Sequence, residues 1–362
     1  MKIMIITKNM RAGGAERVIS QLLKEWTLDK TLECTLVLLE NVEDFYSIPS
    51  SVSVQRIDVK HSNRLINKLL TYKSVRKITK KIKPDVILSL PEEIGIYVIG
   101  ATLGLKTSVV ISERNDPNIM PYKKITRCLR RFLYPYAKGF IFQSVQARDF
   151  FSKKIQEKSV ILLNPLDLMR LPSKKHSNLK KEIVAAGRFE NQKNFKLLID
   201  SFALFYKGHE QYKLIIYGEG TLKDELTRYA ENVLGDDAFE FPGRNRNLLE
   251  DMQNSEIYVL SSDYEGSPNI LIEAMAIGMA VISTNYSPGG VECIIDNGKN
   301  GIIVDKGDVY KLADAMTFLA DQPQIAESYR LEAKNIRNRF DARKVCKNWL
   351  EYLVKVQKEE NR

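Results

Sequence analysis

Short β-branched runs alternate with helical patterns along this chain, and the alternation stops once and then restarts. Residues 2–7, 34–40, 52–59, 85–90, 107–113, 139–144 and 160–164 read as strands. Helices fall between most of them, including 15–26 and the basic 65–82. Residues 167–181 are polar, basic and without periodicity, and read as a linker. Strands resume at 183–187, 213–218, 239–242, 257–262, 280–284 and 301–305, with helices such as 194–206 and 222–233. Strands separated by helices pair in parallel, because the helix carries the chain back to the end where it started. The expected fold is α/β: two Rossmann-like, doubly wound domains at 1–166 and 182–341. Ligand is expected in a cleft at the carboxyl ends of the strands.

The length of 362 residues and apolar content of 44% suit two cores. The four cysteines lie far apart with no C-x-x-C, so reduced thiols are expected. The leading apolar run, Ile3 to Ile6, is too short for a signal peptide core, and no stretch is long enough to span a bilayer. A cytoplasmic protein is expected.

Three strand-to-helix loops carry the candidate chemistry. Gly13 and Gly14 follow the first strand; adjacent glycines let backbone amides approach an anion, and the helix N-terminus adds positive potential. A tight turn explains them equally well, and the spacing is not that of a dinucleotide site. The second loop, Gly187 to Asn194, sets Arg188 and Lys193 five residues apart before a helix. An Arg fork and a Lys point charge suit a diphosphate, although a solvated loop carries such charges too. The third is the sharpest. Glu265 sits in a Gly-Ser-Pro loop and Glu273 about a turn into the next helix, so two carboxylates are offered to the paired hydroxyls of a sugar or ribose. The amides of Asn269, Ile270 and Leu271 open that helix and suit phosphate.

In chain order GGAERV, SERNDP, GRFENQKNF, YGEG, FPGR, EGSPNILIEAMA and the Pro288-Gly289-Gly290 turn resemble the GT-B-fold retaining glycosyltransferases of family four. The likeness is to bacterial members that build capsules, O-antigens and other surface glycans, and it covers nearly the whole chain. It implies an N-terminal acceptor domain and a C-terminal donor domain facing each other across a cleft. Helix 342–362 would pack back on the first domain. It also implies that Arg188 and Lys193 bind the donor diphosphate, that Glu273 binds ribose, and that Glu265 holds the transferred hexose with the 269–271 amides. Gly218 and Arg244 would lie near the base, Gly13 and Gly14 near phosphate from the opposite domain, and Glu113 and Arg114 on the acceptor side. Relatives often carry a His where this chain has Arg114; its own histidines, His61, His176 and His209, fall outside every motif.

The function so implied is transfer of a hexose or N-acetylhexosamine, expected to be UDP-linked, to a lipid-linked saccharide with retention of configuration, in surface-polysaccharide synthesis. No cofactor is expected. There is no Asp-x-Asp, and the paired cations can neutralise a leaving diphosphate without a metal. No nucleophile–base pair stands out, which favours front-face attack by the acceptor hydroxyl, the departing phosphate taking its proton. Alternatives are a non-catalytic membrane-associated nucleotide-sugar-binding subunit, or another GT-B enzyme such as an epimerase or phosphorylase.

Charge is uneven along the chain. Residues 1–175 hold 31 Lys and Arg against 16 Asp and Glu, a net +15; residues 176–362 hold 24 against 29, a net −5. Two basic stretches interleave cations with apolar residues. Lys73, Arg76, Lys77, Lys80 and Lys81 lie in one; Lys123, Lys124, Arg130 and Arg131 lie in the other. Both suit helices lying on anionic lipid, at the inner face of the plasma membrane; ordinary packing with a solvated basic face is the alternative. No nucleic-acid motif accompanies the charge, so nucleic acid is not expected as a partner.

Overall fold

The computed structural model describes residues 1–59, 62–172 and 179–360. His61, His176 and the middle of the expected linker lie outside them. The chain forms two compact units, Met1–Pro165 with Phe340–Arg362, and Leu166–Arg339.

The first unit holds strands β1 (Lys2–Thr7), β2 (Glu33–Leu38), β3 (Ser53–Arg56), β4 (Val86–Ser89), β5 (Ser108–Ser112), β6 (Gly139–Phe142) and β7 (Ser159–Ile161). Their helices are α1 (Gly14–Trp26), α2 (Arg64–Ile82), α3 (Glu92–Thr102), α4 (Lys124–Leu133), α5 (Val145–Asp149) and α6 (Lys153–Gln156). The sheet is parallel throughout, in the order β3-β2-β1-β4-β5-β6-β7. Successive side chains of a strand point to opposite faces. Ile3, Ile5, Leu36, Leu88 and Val110 therefore form one core with α1, while Met4, Ile6, Val37, Ile87 and Val109 form another with α2 and α3. That is why β4 and β5 are apolar and buried on both faces rather than alternating.

The second unit holds β8 (Lys180–Ala186), β9 (Lys213–Tyr217), β10 (Phe239–Gly243), β11 (Ser255–Leu260), β12 (Ala280–Thr284) and β13 (Ile302–Val304). They are parallel in the order β10-β9-β8-β11-β12-β13. Helices α7 (Phe195–Tyr206), α8 (Lys223–Leu234), α9 (Leu248–Met252), α10 (Asn269–Ile277), α11 (Val309–Asp321), α12 (Pro323–Ala333) and α13 (Ile336–Arg339) complete it. The last helix, α14 (Ala342–Glu360), returns to the first unit. Trp349 donates its indole N–H to the carbonyl of Leu163 at 3.0 Å, the Cys346 carbonyl accepts the Trp26 indole at 2.9 Å, and Tyr352 Oη accepts the amide of Phe140 at 2.9 Å. Where residues 167–181 read as linker, the described part makes a short 3-10 turn at Leu168–Arg170 and ends in the first two residues of β8.

Several strands stop one to three residues earlier than the sequence predicts. Glu113, Gln143, Asn164, Gly187, Gly218, Ser261 and Ser262 all lie just past a strand's carboxyl end. The amides of Glu113, Gly187 and Gly218 still reach the neighbouring strand at 2.9 Å each, while the side chains of Glu113, Gln143, Asn164, Ser261 and Ser262 turn to the candidate sites.

Candidate active site

In the C-terminal unit, the loop after β8 is tied to the loop after β11 by three consecutive residues. Gln192 donates its side-chain amide to the carbonyl of Tyr264 at 2.9 Å, and its own carbonyl accepts the amide of Asp263 at 2.9 Å. Lys193 donates Nζ to Glu265 Oε1 at 2.5 Å, and its carbonyl accepts Ser261 Oγ at 2.8 Å. Asn194, held left-handed at φ +45°, donates Nδ2 to Asp263 Oδ1 at 3.0 Å while its Oδ1 caps α7 at the amide of Leu197. An Asn at this position both tolerates positive φ and satisfies a first-turn donor.

Glu265 is buried. Besides Lys193 it accepts Ser262 Oγ at 2.7 Å, and Gln192 Nε2 stands 3.4 Å from its other oxygen. A cation and a carboxylate from two separate motifs thus form one nearly dry pair, their side chains 14% and 9% exposed. Arg188 differs: its side chain is 64% exposed, with Glu190 at 3.2 Å. Glu273 is buried on α10, a helix whose residues from Leu271 to Ile277 are all buried. Arg244 is exposed beyond β10.

Gly218 is fixed by packing. At φ +145°, a Cβ on it would sit 1.8 Å from the carbonyl oxygen of Gly187, so only glycine lets the β9 loop lie against the β8 loop. One expectation fails here. The amide of Leu271 is not available to a phosphate, because the first turn of α10 closes through it onto the carbonyl of Pro268 at 3.1 Å.

A second polar cluster lies in the N-terminal unit, at the carboxyl edge formed by β1, β4, β5, β6 and β7. Arg114 is buried just past β5; its Nη2 donates to Asn164 Oδ1 at 2.8 Å, and Gln143 Nε2 donates to the same oxygen at 2.6 Å. Glu92, the first residue of α3 and fully buried, accepts the backbone amide of Arg114 at 3.2 Å and the side-chain amide of Asn115 at 2.9 Å. Burial holds the Arg114 pKa down to about 10, against the charges of Glu92 and Glu16, which favour its cation. Glu113, also buried, accepts the hydroxyl of Tyr134. Burial first, then the Glu92 carboxylate, pushes its pKa up to about 8, against the pull of Arg130. Desolvation likewise raises Glu92 above the usual carboxylate range. Gly13 and Gly14 open α1, and the carboxylate of Glu16 folds back over Gly13, where a Cβ would meet it at 2.1 Å. The anion next to this helix start is therefore the chain's own.

Sequence reading missed Gln192, Ser262, Glu16, Glu92, Gln143 and Asn164. Gln192 adjoins a quoted cation and Glu16 lies within GGAERV; the others carry no local signal, because only the parallel sheets gather them.

Two of the cations expected to face a membrane do not. Arg130 is 5% exposed, donating to the carbonyls of Pro117 and Met120, each at 2.8 Å, with its guanidinium 5.1 and 5.3 Å from the ring centres of Phe150 and Phe151. Arg76 donates to the carbonyls of Ala101 and Leu103, at 3.0 and 2.9 Å, capping the end of α3. Both satisfy carbonyls that a helix end or an irregular loop leaves without partners.

Residues 171–338 match the family model described as Glycosyl transferases group 1. Over that segment the chain resembles the group 1 glycosyltransferases, and its fold is GT-B. Its curated relatives include two from Campylobacter jejuni. One is the GalNAc-alpha-(1->4)-GalNAc-alpha-(1->3)-diNAcBac-PP-undecaprenol alpha-1,4-N-acetyl-D-galactosaminyltransferase, 28% identical over 98% of this chain and 99% of the relative. The other is the N-acetylgalactosamine-N,N'-diacetylbacillosaminyl-diphospho-undecaprenol 4-alpha-N-acetylgalactosaminyltransferase, also 28% identical, over 98% and 99%. Among solved structures, HepE of Anabaena in complex with UDP and glucose superposes with a TM-score of 0.81 at 17% identity, covering 98% of this glycosyltransferase and 99% of that chain. Sucrose-phosphate synthase of Thermosynechococcus elongatus gives 0.83 at 14% identity, covering 98% of each. Such distant likeness carries the fold; the activity rests on the family model and the curated relatives.

Proposed function

We propose that this glycosyltransferase moves a hexose or N-acetylhexosamine from a UDP-sugar to a lipid-linked saccharide, with retention, in the building of a bacterial surface polysaccharide. One observation carries the reading: Lys193 Nζ and Glu265 Oε1 lie 2.5 Å apart. A cation for a leaving phosphate and an acceptor for a sugar hydroxyl thus stand side by side, as the two ends of a glycosyl phosphate bond require. Cleaving that bond builds positive charge on the sugar and negative charge on the diphosphate, and a preorganised cation stabilises the latter. Arg188, exposed beside it, takes the other phosphate. Glu273 takes the ribose, the amides of Asn269 and Ile270 assist at the phosphate or hexose, and Arg244 lies near the base. The cations serve in place of a metal. The acceptor hydroxyl attacks from the face that the diphosphate leaves, which preserves configuration. The acceptor binds the N-terminal unit near Glu113 and Arg114. UDP and undecaprenyl diphosphate enter this reading through the complex of HepE and through the names of the Campylobacter relatives.

The reading places the protein on the inner face of the plasma membrane. No helix among the described residues is long and apolar enough to cross a membrane. On α4, however, Ile125 and Phe132 are 66% and 67% exposed, with Leu129 between them on the same stripe. Lys123, Lys124 and Arg131 beside them are exposed, as are Lys73, Lys77, Lys80 and Lys81 on α2. Apolar residues turned to solvent among cations suit an anionic lipid surface.

Calorimetry on two variants tests the donor assignments. Glu273→Ala should weaken UDP and UDP-N-acetylgalactosamine alike. Glu265→Ala should spare UDP and remove the extra affinity given by the sugar. Equal losses of UDP affinity in both variants would refute the division.

A further inference from the structure

The N-terminal polar cluster leaves one donor and one acceptor unused. Arg114 Nη1 and Gln143 Oε1 are both buried without a hydrogen-bond partner, on side chains that are 8% and 5% exposed. Both side chains meet at Asn164 Oδ1, which accepts one N–H from each. Because Gln143 must turn its N–H to that oxygen, its carbonyl is left over. Buried groups of this kind normally have partners, and each one left unmet costs about 1–3 kcal/mol. A hydroxyl both accepts and donates, so the hydroxyls of a neutral sugar satisfy the pair. A diphosphate diester or a carboxylate, fully ionised, only accepts. It would satisfy Arg114 but face the Gln143 carbonyl, and it would meet the charges of Glu16 and Glu92, which already act on Arg114.

Glu92 sets this arrangement. Its two oxygens hold the backbone of Arg114 and the side chain of Asn115, fixing the loop after β5 from the start of α3. We propose that Glu92 is a positioning residue that holds Arg114, with Gln143 and Asn164, as a site for the hydroxyls of a neutral sugar. The inference rests on the reading that the N-terminal unit takes the acceptor, and it adds that the group held there is an uncharged saccharide, gripped through Arg114 rather than through a phosphate.

The test uses the full chain, with methyl N-acetyl-α-D-galactosaminide and inorganic phosphate as probes, followed by ligand-observed NMR; UDP affinity is measured in parallel by calorimetry. The glycoside should bind the parent protein, and phosphate at equal concentration should not displace it. Glu92→Gln offers one acceptor oxygen where two are used, and Arg114→Ala removes the donor. Each should weaken glycoside binding about tenfold or more while changing UDP affinity less than twofold. A general loss of structure would lower both. If Glu92→Gln lacks a cooperative thermal transition, Asn115→Ala carries the test, with weaker glycoside binding and intact UDP binding expected. No glycoside binding by the parent protein, displacement by phosphate, or unchanged affinity in the variants overturns the proposal. Loss of UDP binding by the parent protein would instead sink the donor reading and leave the glycoside result standing on its own.

Discussion

Lys193 and Arg188 share a loop, yet their surroundings make them unequal under substitution. Removing Lys193 leaves the buried Glu265 with the hydrogen bonds of Ser262 and Gln192 but without its cation, and an uncompensated buried charge is destabilising. Lys193→Ala should therefore cost about 2 kcal/mol of stability as well as about 10²-fold in turnover. The exposed Arg188→Ala should lose similar turnover with stability changed by less than about 0.5 kcal/mol. Thermal melts and kcat/KM on the same samples check this; equal melting temperatures for the two variants would contradict the buried pair. Glu113 gives a pH test. Its folded pKa, about 8, lies above the ordinary carboxylate value of 4.5, so the folded state holds a proton that the unfolded state has lost between those values. Stability should thus fall as pH rises from about 4.5 to 8. Glu113→Gln, neutral at every pH, should melt like the parent near pH 4 and progressively higher than the parent toward pH 8. A parallel pair of curves would show that Glu113 ionises normally. The motif residues could be found in the sequence because each stands in a strand-to-helix loop with its chemistry in view. Glu92, Gln143 and Asn164 could not, since they meet only when strands distant in sequence align at one edge.

At the scale of elements, alternation placed the strands and several of the helices, because parallel strands buried on both faces are continuous apolar runs. Their ends were less legible: Glu113 and Ser262 extend the predicted strands in sequence, but each lies past the strand's end and its side chain already serves a site. The side on which a helix packs was also hidden. On α4 the cation Arg130 turns inward to the carbonyls of Pro117 and Met120, and Ile125, Leu129 and Phe132 turn outward. On α2, Leu65 and Leu69 near the start are 70% and 62% exposed, ahead of the exposed lysines. These faces predict two components of membrane binding. Charge attraction at the lysines decays over about 8–10 Å in physiological salt, whereas burial of an apolar side chain is worth about 1.5–3 kcal/mol and is insensitive to salt. Sedimentation with anionic vesicles should therefore fall steeply with salt to a residual level. Exchanging Lys73, Lys77, Lys80 and Lys81 for Glu should cut binding at low salt to about that residual level. Changing Ile125 and Phe132 to Ser should remove the residual. A charge-reversed protein that sediments at low salt as fully as the parent would mean these lysines are only a solvated helix face.

At the scale of the whole molecule, the two units divide the charge. The +15 of residues 1–175 goes with a sheet whose carboxyl edge is rich in buried carboxylates, so the excess cations lie elsewhere, largely on α2 and α4. The −5 half carries the Lys193–Glu265 pair and the group 1 domain. Both halves are needed for transfer, since the proposed acceptor and donor sites fall in different units. The most direct measurement is turnover of UDP-N-acetylgalactosamine with undecaprenyl-diphosphate-linked saccharides extracted from bacterial membranes, following UDP release and reading the new linkage by NMR. UDP should appear only when the saccharide lipid is present, and the new linkage should be α, as in the donor. A β linkage, or UDP release that does not depend on the lipid, would contradict retaining transfer to a lipid-linked acceptor.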